Sequence, residues 1–429
     1  MAPIMRRPAL TLALLLVLHA FAHVPAHAFE TKTAAPAEVA LSAERLDRLG
    51  SWLKGEVAAK KIPGAVVIVS RHGKIAYSES FGVQDPATGT AMAKDSLFRI
   101  YSMTKPITAV AAMMLVEEGK LMLETPLSTL IPAFKDMKVA VEKPGTDGAP
   151  TQVEMVPAAR QIAVQDLMRH TSGLTYGFFG DSAAKRAYTA AKIDAGTVSN
   201  AEFAENVAKM PLGFQPGSTW DYSYSTDILG RVVEIVSGKT LGAFFKERIF
   251  DPLGMTDTAS YVTDPAKQGR IAEALPDDRS IGKDIDMSDP RIKRDAEPGG
   301  QGLTGSAPDY ARFLQMLLNG GELDGKRYLS PETIAFMASD HLGPTVDRSK
   351  LYLPGPGYGF GLGFAVRTAE GLAAFPSNPG EYYWGGAAGT YFWVDPKADM
   401  FVVFMMQSPK QRVPYRSILR NIVYGAIEK

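Results

Sequence analysis

Hydrophobic residues in the 429-residue chain fall into two kinds of pattern, and their order predicts the fold. Leu46, Leu49, Leu53 and Val57 recur three or four residues apart and predict a helix from a Ser42 cap to about Lys60. The unbroken run Ala65-Val66-Val67-Ile68-Val69 predicts a buried strand. Arg71-His72-Gly73-Lys74 then reads as a turn and Ile75 to Phe81 as a returning strand, a hairpin that leaves His72 in solvent. Ile107 to Val116 is apolar nearly all round, so it predicts a buried helix, ending near Gly119.

From about Leu121 to Asp340 the pattern is mostly helix and loop. Met137 to Val141 and Thr151 to Val156 predict a short hairpin around Pro144-Gly145-Thr146-Asp147-Gly148. Helices are expected at Val164 to Met168, Ala201 to Met210, Ile228 to Val236, Ala307 to Asn319 and Pro331 to Ala338. The charged stretch Asp277 to Glu297 predicts an exposed loop over a cleft. Strand patterns return at Tyr358 to Arg367, Leu372 to Phe375, Glu381 to Trp384, Thr390 to Val394 and Met400 to Gln407, before a helix from about Val413 to Ile427. The expected architecture is α+β: one antiparallel sheet built from both chain ends, flanked by helices, with a mainly helical lobe inserted between. The sheet lobe would comprise about 40–120 and 341–429, and the helical lobe about 121–340.

Composition narrows the setting. Arg6 and Arg7, a run of about ten mostly apolar residues from Ala9 to Leu18, and Ala26-His27-Ala28 make a secretory signal pattern, too short to span a membrane. Cleavage is expected after Ala28, leaving residues 29–429 as one periplasmic or secreted domain with no stable membrane anchor. The chain balances 46 basic against 46 acidic residues, and losing Arg6 and Arg7 leaves 44 against 46. That balance argues against a nucleic-acid partner. There is no cysteine, which excludes disulfides, a thiolate nucleophile and thiolate metal sites. His72, His170 and His341 are scattered, so neither a metal nor any other cofactor is expected. His170 reads as a helix-end residue binding backbone carbonyls rather than as a catalyst.

The candidate chemistry lies in Phe98-Arg99-Ile100-Tyr101-Ser102-Met103-Thr104-Lys105-Pro106. Residues three apart share a helix face, so the Ser102 hydroxyl and the Lys105 amine can meet. A serine needs a neighbouring base to become a nucleophile, and a lysine can serve when burial or a nearby cation lowers its pKa. Ser-x-x-Lys occurs four times, at Ser51/Lys54, Ser102/Lys105, Ser182/Lys185 and Ser280/Lys283. Only Ser102 is followed by the long apolar helix. Pro106, tolerated in a first turn, marks where that helix begins. Such a pair also needs a proton donor and an oxyanion site. Gly217 to Asp227, rich in tyrosine, and Tyr383-Trp384-Gly385-Gly386-Ala387-Ala388-Gly389-Thr390 are candidates for these. Read without the catalytic role, they are an aromatic packing loop and a glycine bulge.

These three stretches, in this order, resemble the serine β-lactamase and penicillin-binding-protein superfamily, from about Ser42 to the C-terminus. The stretches His170-Thr171-Ser172-Gly173-Leu174, Leu229 to Glu234 and Gly302-Leu303 with Asp309 to Phe313 are similar too. Within it the chain looks most like the class C-type branch and its family VIII carboxylesterases. The resemblance implies Ser102 as the acylated nucleophile, Lys105 as its base and Tyr222 as the tyrosine of a Tyr-x-Asn motif. It implies oxyanion donors on the amides of Ser102 and Ala387, with Tyr224, Trp384, Gly385 and Gly386 lining the substrate. Tyr224 stands where the motif has asparagine. Trp384-Gly385-Gly386 stands where β-lactamases have Lys-Thr-Gly, so a carboxylate-binding lysine is missing. The implied activity is hydrolysis of small-acyl carboxylic esters, or of β-lactams or D-alanyl peptides as the alternative. A non-catalytic peptidoglycan-binding protein is the reading from another class.

Overall fold

The computed structural model describes residues 32–145, 151–282 and 285–428. The expected signal segment and its cleavage point, Thr146 to Gly148 of the expected hairpin turn, and Lys283 lie outside the described residues. Eight strands form the main sheet: β1 (Gly64–Arg71), β2 (Lys74–Asp85), β3 (Thr90–Ala91), β4 (Tyr358–Phe360), β5 (Ala365–Arg367), β6 (Tyr382–Gly385), β7 (Tyr391–Asp395) and β8 (Met400–Met406). Their spatial order is β4-β5-β6-β7-β8-β1-β2-β3, antiparallel throughout. The two chain ends meet where β1 pairs with β8, with Ala65 opposite Met406 and Val69 opposite Val402. Both strands are buried along nearly their whole length because helices cover both faces. That is why their sequences run continuously apolar instead of alternating.

Six helices matter to the site: α1 (Ala43–Ala58), α2 (Thr104–Glu117), α3 (Ala183–Ala190), α4 (Ser225–Ser237), α5 (Ala307–Leu318) and α6 (Arg412–Gly425). Ser42 caps α1, its hydroxyl accepting from the Arg45 amide. α1 and α6 pack together beside β2, while α5 lies against β1, β7 and β8. The apolar α2 is buried from Thr104 to Leu115 and packs on α4. The described residues form one compact unit.

Some expected elements differ. Tyr358 to Arg367 is not one strand but two, β4 and β5, joined by a tight reversal in which Gly363 takes φ +102°. Leu372 to Phe375 is irregular, with Leu372 exposed. Asp277 to Glu297 is less free than expected. Asp278 is buried, accepting from the Ser408 hydroxyl at 2.5 Å and the Lys410 amide at 3.0 Å, and the Ser288 amide donates to the Tyr101 hydroxyl at 3.1 Å. Arg291 adds a further tie, pairing with Glu273 at 2.9 Å. His72 is in a turn as expected, exposed and beside Asp399.

Candidate active site

Ser102 sits in a single 3-10 turn, Tyr101–Met103, that runs directly into α2. Tyr101 has a positive φ of +43°, a conformation costing a non-glycine residue on the order of 1–3 kcal/mol. It is held there by a buried ring and by the Ser288 amide on its hydroxyl. Just upstream, Phe98 and Arg99 pair with Gly305 and Thr304 in a short two-stranded ladder, and the Ile100 amide donates to the Leu303 carbonyl. The turn is therefore anchored from both sides, and the serine hydroxyl is presented at the start of a buried helix.

The structure brings Ser102, Lys105, Tyr222 and Trp384 together. Tyr222 OH donates to Ser102 Oγ at 2.7 Å, and Lys105 Nζ lies 3.3 Å from the same oxygen. The Trp384 indole N–H donates to Tyr222 OH at 3.3 Å. Lys105 is fully buried, its Nζ also donating to Gly300 O at 2.8 Å and Tyr176 OH at 3.2 Å. It lies 4.6 Å from the centroid of the Tyr222 ring. An ammonium has three donors, so these three acceptors account for all of them. As a neutral amine the same nitrogen has a lone pair to turn toward Ser102.

Gly385 ends β6, and Gly386 and Ala387 begin the bend after it. Thr390 Oγ1 donates to Ile100 O at 3.2 Å and ties that bend to the Ser102 turn. A Cβ on Gly386 would collide with Ile100 O and Thr390 Oγ1, so only glycine allows the two backbones this close. The Gly386 amide donates to Thr390 O, whereas the amides of Ser102 and Ala387 have no hydrogen-bond partner among the described residues. Amides without a partner are free to donate to a developing negative charge.

Two expectations are corrected. Tyr224 does not line the substrate side: it is buried, its ring packs on Tyr176 and Phe203, and its hydroxyl donates to Ile193 O at 2.8 Å. The core behind Tyr176 takes the ring, which also stacks on Tyr188. His170 does not bind carbonyls. Its Nδ1 pairs with Ser223 Oγ at 3.2 Å, and the ring lies among Trp220, Tyr222 and Phe360. Burial, with Lys105 nearby, pushes its pKa well below the usual imidazole range, so the ring is a neutral packing group under Tyr222.

Sequence reasoning missed Tyr176, Gly300 and Asp227. Asp227 is buried in the first turn of α4 and accepts from the Gly300 amide at 2.9 Å. Tyr176 follows His170-Thr171-Ser172-Gly173-Leu174 by two residues, in a short aromatic cluster with Phe178 and Phe179, and that cluster is the available signal. Gly300 contributes a backbone carbonyl, for which no side-chain signal exists. Among the described residues no group of three His, Cys, Asp or Glu is placed to hold a metal ion.

A serine and lysine one helical turn apart, beside a glycine bend at the end of an inner strand of an antiparallel sheet, define a β-lactamase-fold serine hydrolase. The family model described as Beta-lactamase matches residues 49–424, and the chain belongs to that family. It is similar to esterase EstB of Burkholderia gladioli, 31% identical over 92% of this chain and 98% of that one. It is also similar to the lovastatin esterase of Penicillium rubens, 32% identical over 81% of this chain and 89% of that one. A solved structure of EstCE1, "a hydrolase with promiscuous acyltransferase activity", superposes with a TM-score of 0.72 at 26% identity, covering 89% of this chain and 99% of that one. These relatives accord with the family VIII esterase-like branch.

Proposed function

We propose that this protein is an exported carboxylesterase that cleaves small-acyl esters through an acyl-enzyme on Ser102. The observation that carries the reading is the convergence of Tyr222 OH and Lys105 Nζ on Ser102 Oγ, with the Trp384 indole placed on Tyr222. Ser102 attacks the ester carbonyl, and its proton passes to the amine of Lys105. The oxyanion forms between the amides of Ser102 and Ala387, each such donor being worth roughly 3 kcal/mol. Collapse expels the alcohol, which takes the proton of Tyr222. The Trp384 N–H and the Lys105 ammonium stabilise the phenolate left behind. That phenolate then takes a proton from water, whose oxygen attacks the acyl-serine. The acid leaves, and Lys105 returns its proton to Ser102.

Trp384 also favours an ester over a β-lactam. It is neutral and supplies no charge to a substrate carboxylate, and its N–H is already engaged with Tyr222. The names of the esterase relatives point the same way. Export rests on the signal pattern through Ala28, and N-terminal sequencing of the protein recovered from the periplasm or medium tests it.

The main experiment compares p-nitrophenyl butyrate with a chromogenic cephalosporin, using wild type and Ser102→Ala. Fast ester cleavage, abolished by Ser102→Ala, with little cephalosporin opening is expected. Wild-type rates in Ser102→Ala would sink the nucleophile assignment. A cephalosporin rate exceeding the ester rate would make the protein a β-lactamase.

A further inference from the structure

The match at Ser182/Lys185 takes no part in the relay, yet it is built into the same site. The Ser182 hydroxyl accepts from the Lys185 amide and caps α3, and that first turn directs the Lys185 side chain inward. Lys185 and Asp221 form an ion pair at 3.0 Å, with side chains only 5% and 4% exposed. Lys185 Nζ also donates to Phe179 O at 2.6 Å. The second carboxylate oxygen of Asp221 takes the Thr175 hydroxyl at 2.6 Å, and the Asp221 amide donates to His170 O at 3.0 Å.

Removing two charges from water is costly, and apolar residues of similar bulk are often at least as stable in their place. Stability alone therefore does not account for the pair, but its place in the chain does. Asp221 precedes Tyr222, whose hydroxyl is on Ser102 Oγ. Thr175 precedes Tyr176, whose hydroxyl accepts from Lys105 Nζ. The rings of Tyr176 and Tyr222 lie 5.3 Å apart, and Phe179 packs edge-on against Tyr222.

We propose that Lys185 and Asp221 are a positioning pair, which joins the Thr175–Phe179 and Asp221–Tyr222 segments so that their two tyrosines bracket Ser102 and Lys105. The proposal rests on the reading of Ser102, Lys105 and Tyr222 given above. A misplacement of about 1 Å at a reacting group costs roughly a hundredfold in rate. Lys185→Met and Asp221→Asn should therefore lower kcat for p-nitrophenyl butyrate by roughly that factor, with KM within about twofold of wild type. Their Tm should fall as well, because each leaves a buried charge unpaired.

The double variant Lys185→Met/Asp221→Leu separates positioning from stability. It should recover Tm while kcat stays low. Recovery of kcat together with Tm, or wild-type kcat in either folded single variant, overturns the proposal. If the single variants do not fold, Thr175→Val removes one hydroxyl from Asp221. It should lower kcat roughly tenfold at near-wild-type Tm, and an unchanged kcat overturns the proposal. Ser102→Ala keeps the two readings apart. Turnover persisting in Ser102→Ala defeats the site assignment itself. An inactive Ser102→Ala alongside a fully active Lys185→Met defeats only the positioning role.

Discussion

At the scale of single residues, Trp384 is the informative departure from the β-lactamase pattern. Its indole donates one neutral hydrogen bond to Tyr222 OH and meets Phe360 edge-on with ring centroids 5.4 Å apart. Replacing it with phenylalanine keeps the ring contact and removes the donor. A neutral hydrogen bond is worth about 1 kcal/mol, so Trp384→Phe should lower kcat/KM for p-nitrophenyl butyrate about fivefold. An unchanged value would mean that Tyr222 does not need the donor. Much of the site was legible at this scale. Ser102 and Lys105 were readable because a helix turn dictates their proximity, and Pro106 marks the turn. Tyr222 and Trp384 came from resemblance, because nothing local places residues 120 or 282 positions downstream beside a serine. Tyr224 was misplaced for the same reason, its side being decided by the core behind Tyr176.

At the scale of elements, helices and central strands were readable from periodicity, and the edge of the sheet was not. α1, α2, α5 and α6 follow their apolar stripes to within about two residues. Tyr358, Phe360, Leu362 and Phe364 alternate with glycine through β4 and into β5 as they would in one strand, while the reversal at Gly363 depends on packing against Ala109 of α2. The bend after β6 is held to the Ser102 turn by Thr390 on Ile100 O, and there is no room for a Cβ on Gly386 between them. Gly386→Ala should push the Ala387 amide away from Ser102 and remove an oxyanion donor. The expected loss in kcat is roughly a hundredfold or more, with the overall fold retained by circular dichroism. A folded Gly386→Ala with wild-type kcat would exclude this bend from the oxyanion site.

At the scale of the whole molecule, buried charges distribute stability between the sheet and the site. Arg420 and Glu381 are both fully buried and paired at 2.6 Å. Arg420 Nε donates to Tyr391 OH, Tyr358 OH donates to Glu381, and the guanidinium lies 4.7 Å from the ring centroid of Phe375 and 4.9 Å from that of Trp393. Arg420→Met leaves the Glu381 carboxylate buried without its cation, and stability should drop by about 3–5 kcal/mol, read as a lower urea midpoint. Asp227 makes stability depend on pH. Burial raises its carboxyl from 3.8 to about 6, against the pull of Lys105 and the Gly300 amide. Below 3.8 the group is protonated in both folded and unfolded chains. Between 3.8 and 6 the folded protein keeps a proton that the unfolded chain releases, so this contribution to stability falls as pH rises and is gone above about 6. Asp227→Asn has no proton to lose. Relative to it, wild type should lose on the order of 2 kcal/mol between pH 4 and 6.5. Parallel curves for the two proteins would show that Asp227 does not titrate in that range.

The amino-acid sequence by itself determined the periodic elements, the antiparallel sheet drawn from both chain ends, and the Ser102/Lys105 pair. Each of these depends on residues close in sequence or on apolar runs whose burial is compulsory. Only the tertiary structure decided that Tyr224 turns into the core, that Gly300 and Tyr176 hold Lys105, and that Lys185 meets Asp221. Those contacts join segments tens to hundreds of residues apart. Their partners are chosen by which buried polar groups must be satisfied once the core closes, a condition that local patterns do not encode.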